Sequence, residues 1–253
     1  MWVVNGDSPL AEDFAEALVH ATLEAYERYA VEVVERFNFC PWARSARESG
    51  GVTLRVVFSV DHDDFDESLR CLNDLHEQAP ETGAQVDVAL FIYPLLDLDR
   101  RGFEDYARRL RTRAEAGQKK LDAFATAAFH PAATADLTHP DRLVPFVRRS
   151  PDPTLQLVRK SALSSIKGLT SGTAFLDVSA LTPAAFKALQ QPAEPAPKPV
   201  RERIAEQNLA SVRDAGSEAI EAVLTDIARQ REAAHERLLT RYGRRGPRRL
   251  IPG

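Results

Sequence analysis

Cysteine is scarce in this sequence: two residues, Cys40 and Cys71, among 253. Two thiols cannot staple a fold of this size, and a reducing cytoplasm is the compartment that suits them. Long apolar runs are missing as well. No uninterrupted stretch of about 18 apolar residues occurs, so no membrane-spanning helix is expected. The opening MWVVNGDSPL lacks a basic stretch followed by an apolar run, and a secretory leader is not expected. Glycine-rich phosphate loops of the GxGxxG or GxxxxGKS/T kind are absent, as are a GxSxG elbow, an HExxH helix and a CxxC pair. No internal repeat is visible.

What remains is an ordinary globular composition, 44% hydrophobic and 28% charged. The net charge of −4 conceals an asymmetry: residues 1–99 hold 6 Lys/Arg against 20 Asp/Glu, and residues 100–253 hold 27 against 17. The basic residues interleave with acids, which suits halves that attract each other within one domain, or copies that pair head to tail as a homo-oligomer.

Hydrophobic spacing predicts a helix over residues 19–37, with Val19, Leu23, Tyr26, Ala30, Val33, Val34 and Phe37 on one stripe. Asn38 is its expected cap, because Pro41 forbids continuation. Three strands follow near 52–60, 86–94 and 121–129, separated by helices over 61–78 and 101–116. This β-α-β-α-β run predicts an α/β fold with a small, mainly parallel sheet in the order 1-2-3, the middle strand central and helices on both faces. Asp152-Pro153 reads as the start of a helix through Leu155, Val158 and Ala162. A fourth, edge strand at Thr173 to Val178 and a short helix from Thr182-Pro183 are expected. The domain organisation predicted is a core over 1–182, a Pro/Ala-rich linker over 183–199, C-terminal helices over 200–242 packing on the core, and a basic flexible tail over 243–253 whose removal leaves the melting temperature unchanged.

Four segments could carry chemistry. Cys40, in a proline-fixed loop with Arg44 nearby, could be an activated thiolate; the competing reading is a small buried hydrophobe between Phe39 and Trp42. Cys71 lies on an apolar helix stripe and reads as packing. His130 falls at the C-terminal end of the third strand, where open α/β sheets place ligands. It could be a general base, an anion donor or a structural hydrogen bonder. Arg148-Arg149-Ser150 precedes the helix expected at Pro153, a combination that could hold an anion, unless Asp152 caps the helix and Arg149 pairs with an acid. The run Asp61, Asp63, Asp64, Asp66, Glu67 lacks the glycine and spacing of a calcium loop and reads as first-turn carboxylates; no metal site is expected.

In order along the chain, Cys40-Pro41-Trp42-Ala43-Arg44, the strand–helix alternation, Phe129-His130-Pro131 and Arg149-Ser150-Pro151 with Pro153, Thr154, Leu155, Leu157 and Arg159 together resemble the domain-of-unknown-function family DUF1415. The resemblance covers roughly Tyr26 to Arg213. Trp42 stands where phenylalanine is more usual, and Arg148 where asparagine often precedes the Arg-Ser-Pro. The stretch from Ser165 to Pro199 is longer than typical. The resemblance supplies no activity; it implies that Cys40, Arg44, His130, Arg149 and Ser150 belong to signature segments.

The function these observations predict is a cytoplasmic enzyme acting on a small anionic metabolite. His130 and Cys40 would be catalytic, and Arg44, Arg148, Arg149 and Ser150 would bind substrate. Cys40, His130 and Arg149 are expected to converge, with sulfur and imidazole within about 4–6 Å. The alternative is a non-catalytic ligand-binding or regulatory module with the same pocket. Nucleic-acid binding through Arg244, Arg245, Arg248 and Arg249 is the weakest reading, since no aromatics interleave with those arginines. No cofactor is named by any motif.

Overall fold

The computed structural model describes residues 12–77, 86–117, 124–133, 135–162 and 200–243. The strand and helix expected at 173–183, the linker and the tail beyond Gly243 lie outside the described residues.

The chain begins with α1 (Glu12–Arg28), which continues without a break as a π-helical stretch (Tyr29–Glu35). A short helix, α2 (Ala43–Glu48), precedes β1 (Val52–Val56). Alternation then proceeds as predicted through α3 (Asp66–Glu77), β2 (Val88–Ile92), α4 (Arg100–Ala116) and β3 (Phe124–Phe129). After α5 (Pro140–Val147) comes β4 (Thr154–Arg159), and two helices close the described chain, α6 (Val200–Ala215) and α7 (Ser217–Arg241). No helix among the described residues is long and apolar enough to cross a membrane.

The sheet is mixed, in the order β1-β2-β4-β3, and this corrects the expectation of a mainly parallel 1-2-3 sheet. β1 and β2 pair in parallel, Val56 opposite Ile92. β4 pairs antiparallel with both β2 and β3, Thr154 lying opposite Ile92 on one side and Phe129 on the other. The helix predicted from Asp152-Pro153 is therefore a strand, and an interior one. The local spacing satisfies both periods: Leu155, Val158 and Ala162 fit a helix, whereas Leu155 and Leu157 fit a strand face. Two pairing neighbours decide for the strand. The direction follows from the connection: α5 returns the chain to the sheet end that β3 has just left, so β4 must run back along it. The first three strands do share one direction, and β2 is interior, as predicted.

Helices cover both faces. Towards α3 and α4 the sheet presents Ala89, Phe91, Leu155 and Leu157, packed against Leu72, Leu75, Phe103, Tyr106 and Leu110. Cys71 belongs to this cluster, in the packing role its stripe predicts. The opposite face packs Ile92, with Leu54 and Leu90, against α1, α5, α6 and α7 through Tyr26, Tyr29, Phe146, Leu209, Ile220 and Leu224. At the far end of α1, Phe14 and Leu18 meet Leu238 and Tyr242 of the C-terminal segment. The buried stripe of α1 runs Phe14, Leu18, Thr22, Ala25, Tyr26, Tyr29 and Val33. It shares Tyr26 and Val33 with the predicted stripe and is otherwise rotated from it, with the polar Thr22 buried within it.

Candidate functional site

One end of the sheet gathers most of the signature residues. The last row there reads Val56, Ile92, Thr154, Phe129 across the four strands. Beyond Phe129 the His130 amide donates to the Arg148 carbonyl at 3.1 Å, which ties the end of β3 to the residue that follows α5. Both imidazole nitrogens are engaged by backbone. The Ala132 amide donates to Nδ1 at 3.1 Å, so Nδ1 carries no proton and Nε2 donates to the Leu98 carbonyl at 2.9 Å. A histidine held this way is oriented, and accepting a proton at Nδ1 requires losing the Ala132 bond.

Beside His130 lies a small cleft of about 50 Å3, partly open to solvent. Arg100, Phe103 and Glu104 of α4 line it together with Ala128, His130, Pro145 and Arg148. Arg100 pairs with Glu104 at 2.8 Å, both half exposed. The guanidinium of Arg148 lies 5.8 Å from the Phe129 ring centre.

Arg149 turns away from this cleft. It lies over the Phe146 ring and pairs with Glu221 of α7 at 3.1 Å. Burial pushes its pKa down and Glu221 draws it back up. Ser150 is buried and donates to the Asp152 carbonyl at 2.5 Å. That carbonyl also accepts from Tyr26 Oη at 3.1 Å and from Thr154 Oγ1 at 2.9 Å. The Asp152 carboxylate meets Arg231 of α7, which donates as well to the Pro94 carbonyl at 3.0 Å. Asp152 is fully buried and Arg231 is 6% exposed, so this is an ion pair inside the protein. The sequence reading missed Arg231, Tyr26 and Asp152 as a group. One signal was available: Ile220, Leu224, Ile227, Arg231 and His235 form one buried stripe, and an arginine within it demands a buried acceptor.

Cys40 sits on a loop clamped from both sides. The widened π-helical turns, in which the Arg36 amide bonds to the Val31 carbonyl five residues back, end at Asn38. Asn38 takes the left-handed conformation, φ 54°, that a helix-ending residue of its kind tolerates. Arg44 and Arg47 both pair with Glu35, at 3.2 and 2.7 Å, and hold α2 against the helix. Phe39 packs in the layer of α1, whereas the His130 ring lies 6.3 Å from Phe103 in the layer of α4. Arg148 lines the cleft together with His130, whereas Arg149 pairs with Glu221; Cys40 is not among the residues lining that cleft. The Cys40 thiol is half-buried, and burial pushes its pKa up, partly offset by the Trp42 and Ala43 amides. Alkylation of Cys40 by iodoacetamide at pH 7 should therefore run slower than that of an unfolded cysteine peptide. A faster rate would show an activated thiolate.

Asp61, His62 and Asp63 bring ligand atoms within 4.8 Å of one another, all exposed. Asp63 is also paired with Arg109, and Asp61 Oδ1 accepts the Asp63 amide at 2.9 Å. The run serves the turn into α3, whose first turn holds Asp66 and Glu67 as the helix dipole favours.

No curated protein and no solved structure matches the chain. The family model described as "Protein of unknown function (DUF1415)" matches residues 21–171, from α1 past β4, and leaves out α6 and α7 with Glu221 and Arg231. Spanning more than half of the chain and every signature segment from Cys40 to Thr154, this match makes the protein a member of the DUF1415 family.

Proposed function

We propose that the protein binds a small anionic molecule in the cleft between α4, β3 and α5, in the cytoplasm. The observation that carries this is that two arginines, Arg100 and Arg148, line one cleft at the end of β3. The Arg100–Glu104 pair is solvent-exposed and worth little, so exchanging Glu104 for a ligand oxygen costs little. Two free thiols support a reducing compartment.

The geometry favours binding without chemistry, because no nucleophile–base pair lines the cleft among the described residues. The second reading is an enzyme for the same anionic substrate, with His130 moving a proton and Cys40 as nucleophile or ligand. What favours it is the half-buried His130 ring at the cleft wall. Arg44, Arg149 and Ser150 then support the site through Glu35, Glu221 and Asp152.

A thermal-shift screen of small carboxylates and phosphates tests the proposal. Ligands should raise the melting temperature, since binding to the folded state stabilises it. Arg148→Gln should abolish the shift, yet change the unliganded melting temperature by no more than about 2 °C, as befits an exposed side chain. A shift that survives Arg148→Gln would reject this site. Turnover of the bound compound, lost in His130→Ala, would favour the enzyme.

A further inference from the structure

The ionisable groups that line the cleft among the described residues are Arg100 and Glu104 of α4, His130 after β3 and Arg148 after α5. Only the imidazole is of a type that titrates near neutral pH; guanidinium and carboxylate groups keep their charge between about pH 5.5 and about pH 8. Glu104 cancels one of the two arginines, so the lining carries a formal charge of +1 with a neutral ring and +2 with a protonated one. The acids nearby do not change that difference. Asp97 and Asp99 flank Leu98, and Asp99 caps α4 through the Gly102 amide at 2.7 Å. Asp136, on the loop that follows His130, pairs with Arg142 at 3.5 Å. β3 itself, Phe124–Phe129, carries no charge.

The ring is held so that one nitrogen takes any second proton. Nε2 donates to the Leu98 carbonyl, whereas Nδ1 accepts from the amide of Ala132, an exposed residue. Protonation at Nδ1 sets two N–H groups face to face and loses that bond. Without an anion the arrangement therefore favours the neutral ring. An oxyanion beside Arg148 gives the imidazolium a counter-charge and reverses the preference.

We propose that the anion site takes up a proton with its ligand: an oxyanion held by Arg148 enters the cleft as one proton from solvent settles on His130 Nδ1. This rests on the anion-binding reading above. Linkage fixes the sign, so affinity rises as the pH falls through the imidazole range.

The test uses the full chain with inorganic sulfate and with trifluoroacetate, whose charges do not change in this range. Wild type should bind about tenfold more tightly at about pH 5.5 than at about pH 8, the gain expected of a charged hydrogen-bonding partner. Calorimetry in two buffers of different ionisation heat should show proton uptake on binding at neutral pH. His130→Gln should bind with no pH dependence and no uptake. His139→Asn, at the opposite end of α5 from Arg148 and outside the cleft lining, should behave as wild type. Arg148→Gln should bind at neither pH. Equal binding by wild type at both pH values, or a pH dependence that survives His130→Gln, rejects the proton coupling and leaves the anion site standing. Should His130→Gln fail to fold, the ring nitrogen shifts of wild-type His130 decide: Nδ1 must gain a proton when the probe is added at neutral pH, and an unchanged ring rejects the coupling. Binding that survives Arg148→Gln, or a wild type that binds neither probe at either pH, rejects both.

Discussion

Asp152→Ala should lower the stability of the protein by about 3–5 kcal/mol in urea unfolding, the usual cost of removing one member of a buried ion pair. The carboxylate is fully buried, and its loss leaves the Arg231 guanidinium, 6% exposed, with the Pro94 carbonyl alone among the contacts described above. The substitution is clean in one respect. Ser150, Tyr26 and Thr154 bond to the backbone carbonyl of Asp152, which alanine retains. The loss therefore reports on the carboxylate and not on the turn it caps. Arg231→Met should also destabilise, by stranding Asp152. Combining it with Asp152→Ala should cost clearly less than the two single losses added, because neither charge is then stranded. A loss below about 1 kcal/mol for Asp152→Ala would mean that water reaches Arg231.

The second large effect belongs to β4. Leu157→Ala should cost about 2–5 kcal/mol, the range for emptying a leucine from a closed core. Leu157 is fully buried, opposite Ala89 of β2 and Thr126 of β3, in the cluster that holds Phe91 and Leu110. A loss of that size is a large part of the roughly 5–15 kcal/mol that holds a domain folded. Its neighbour Gln156 points to the other face and is half-buried, so Gln156→Ala should cost less than about 1 kcal/mol. Equal losses at the two positions would contradict the alternation of a strand.

Those residues also mark where the sequence was legible. Val52 to Val56 and Val88 to Ile92 lie between helices of unmistakable period, and both strands are where the spacing puts them. Local pattern sufficed because each segment had one consistent reading. Thr154 to Arg159 had two, and what separates them is the presence of β2 and β3 on either side, which no local window contains. The same limit governs the site. His130 was placed correctly at a strand end, since that is a matter of position along the chain. The bonds that hold its ring come from Leu98 and from a turn at Ala132, and no spacing rule foretells the first. For Arg149 the sequence leaves a ligand and an acidic side chain as alternatives, and the acid it pairs with, Glu221, lies 72 residues away on α7. Arg148, one residue earlier, faces the cleft, and only the geometry after α5 distinguishes the two.

The meeting of α1 with α7 has a consequence in time. Arg28 of the first described helix bonds Asp226 of the last, 198 residues later. At roughly 5–20 residues per second, synthesis separates those two helices by about 10–40 s. Through that interval Phe14, Leu18 and Tyr26 have no α7 to cover them, while β1 to β4 already have α3 and α4 to fold against. One layer can form as the chain emerges, and the other must wait for its last helix. Until α7 is made, the apolar stripe of α1 stays without the cover that α7 gives it, and exposed apolar surface of this kind is what makes incomplete chains prone to aggregate.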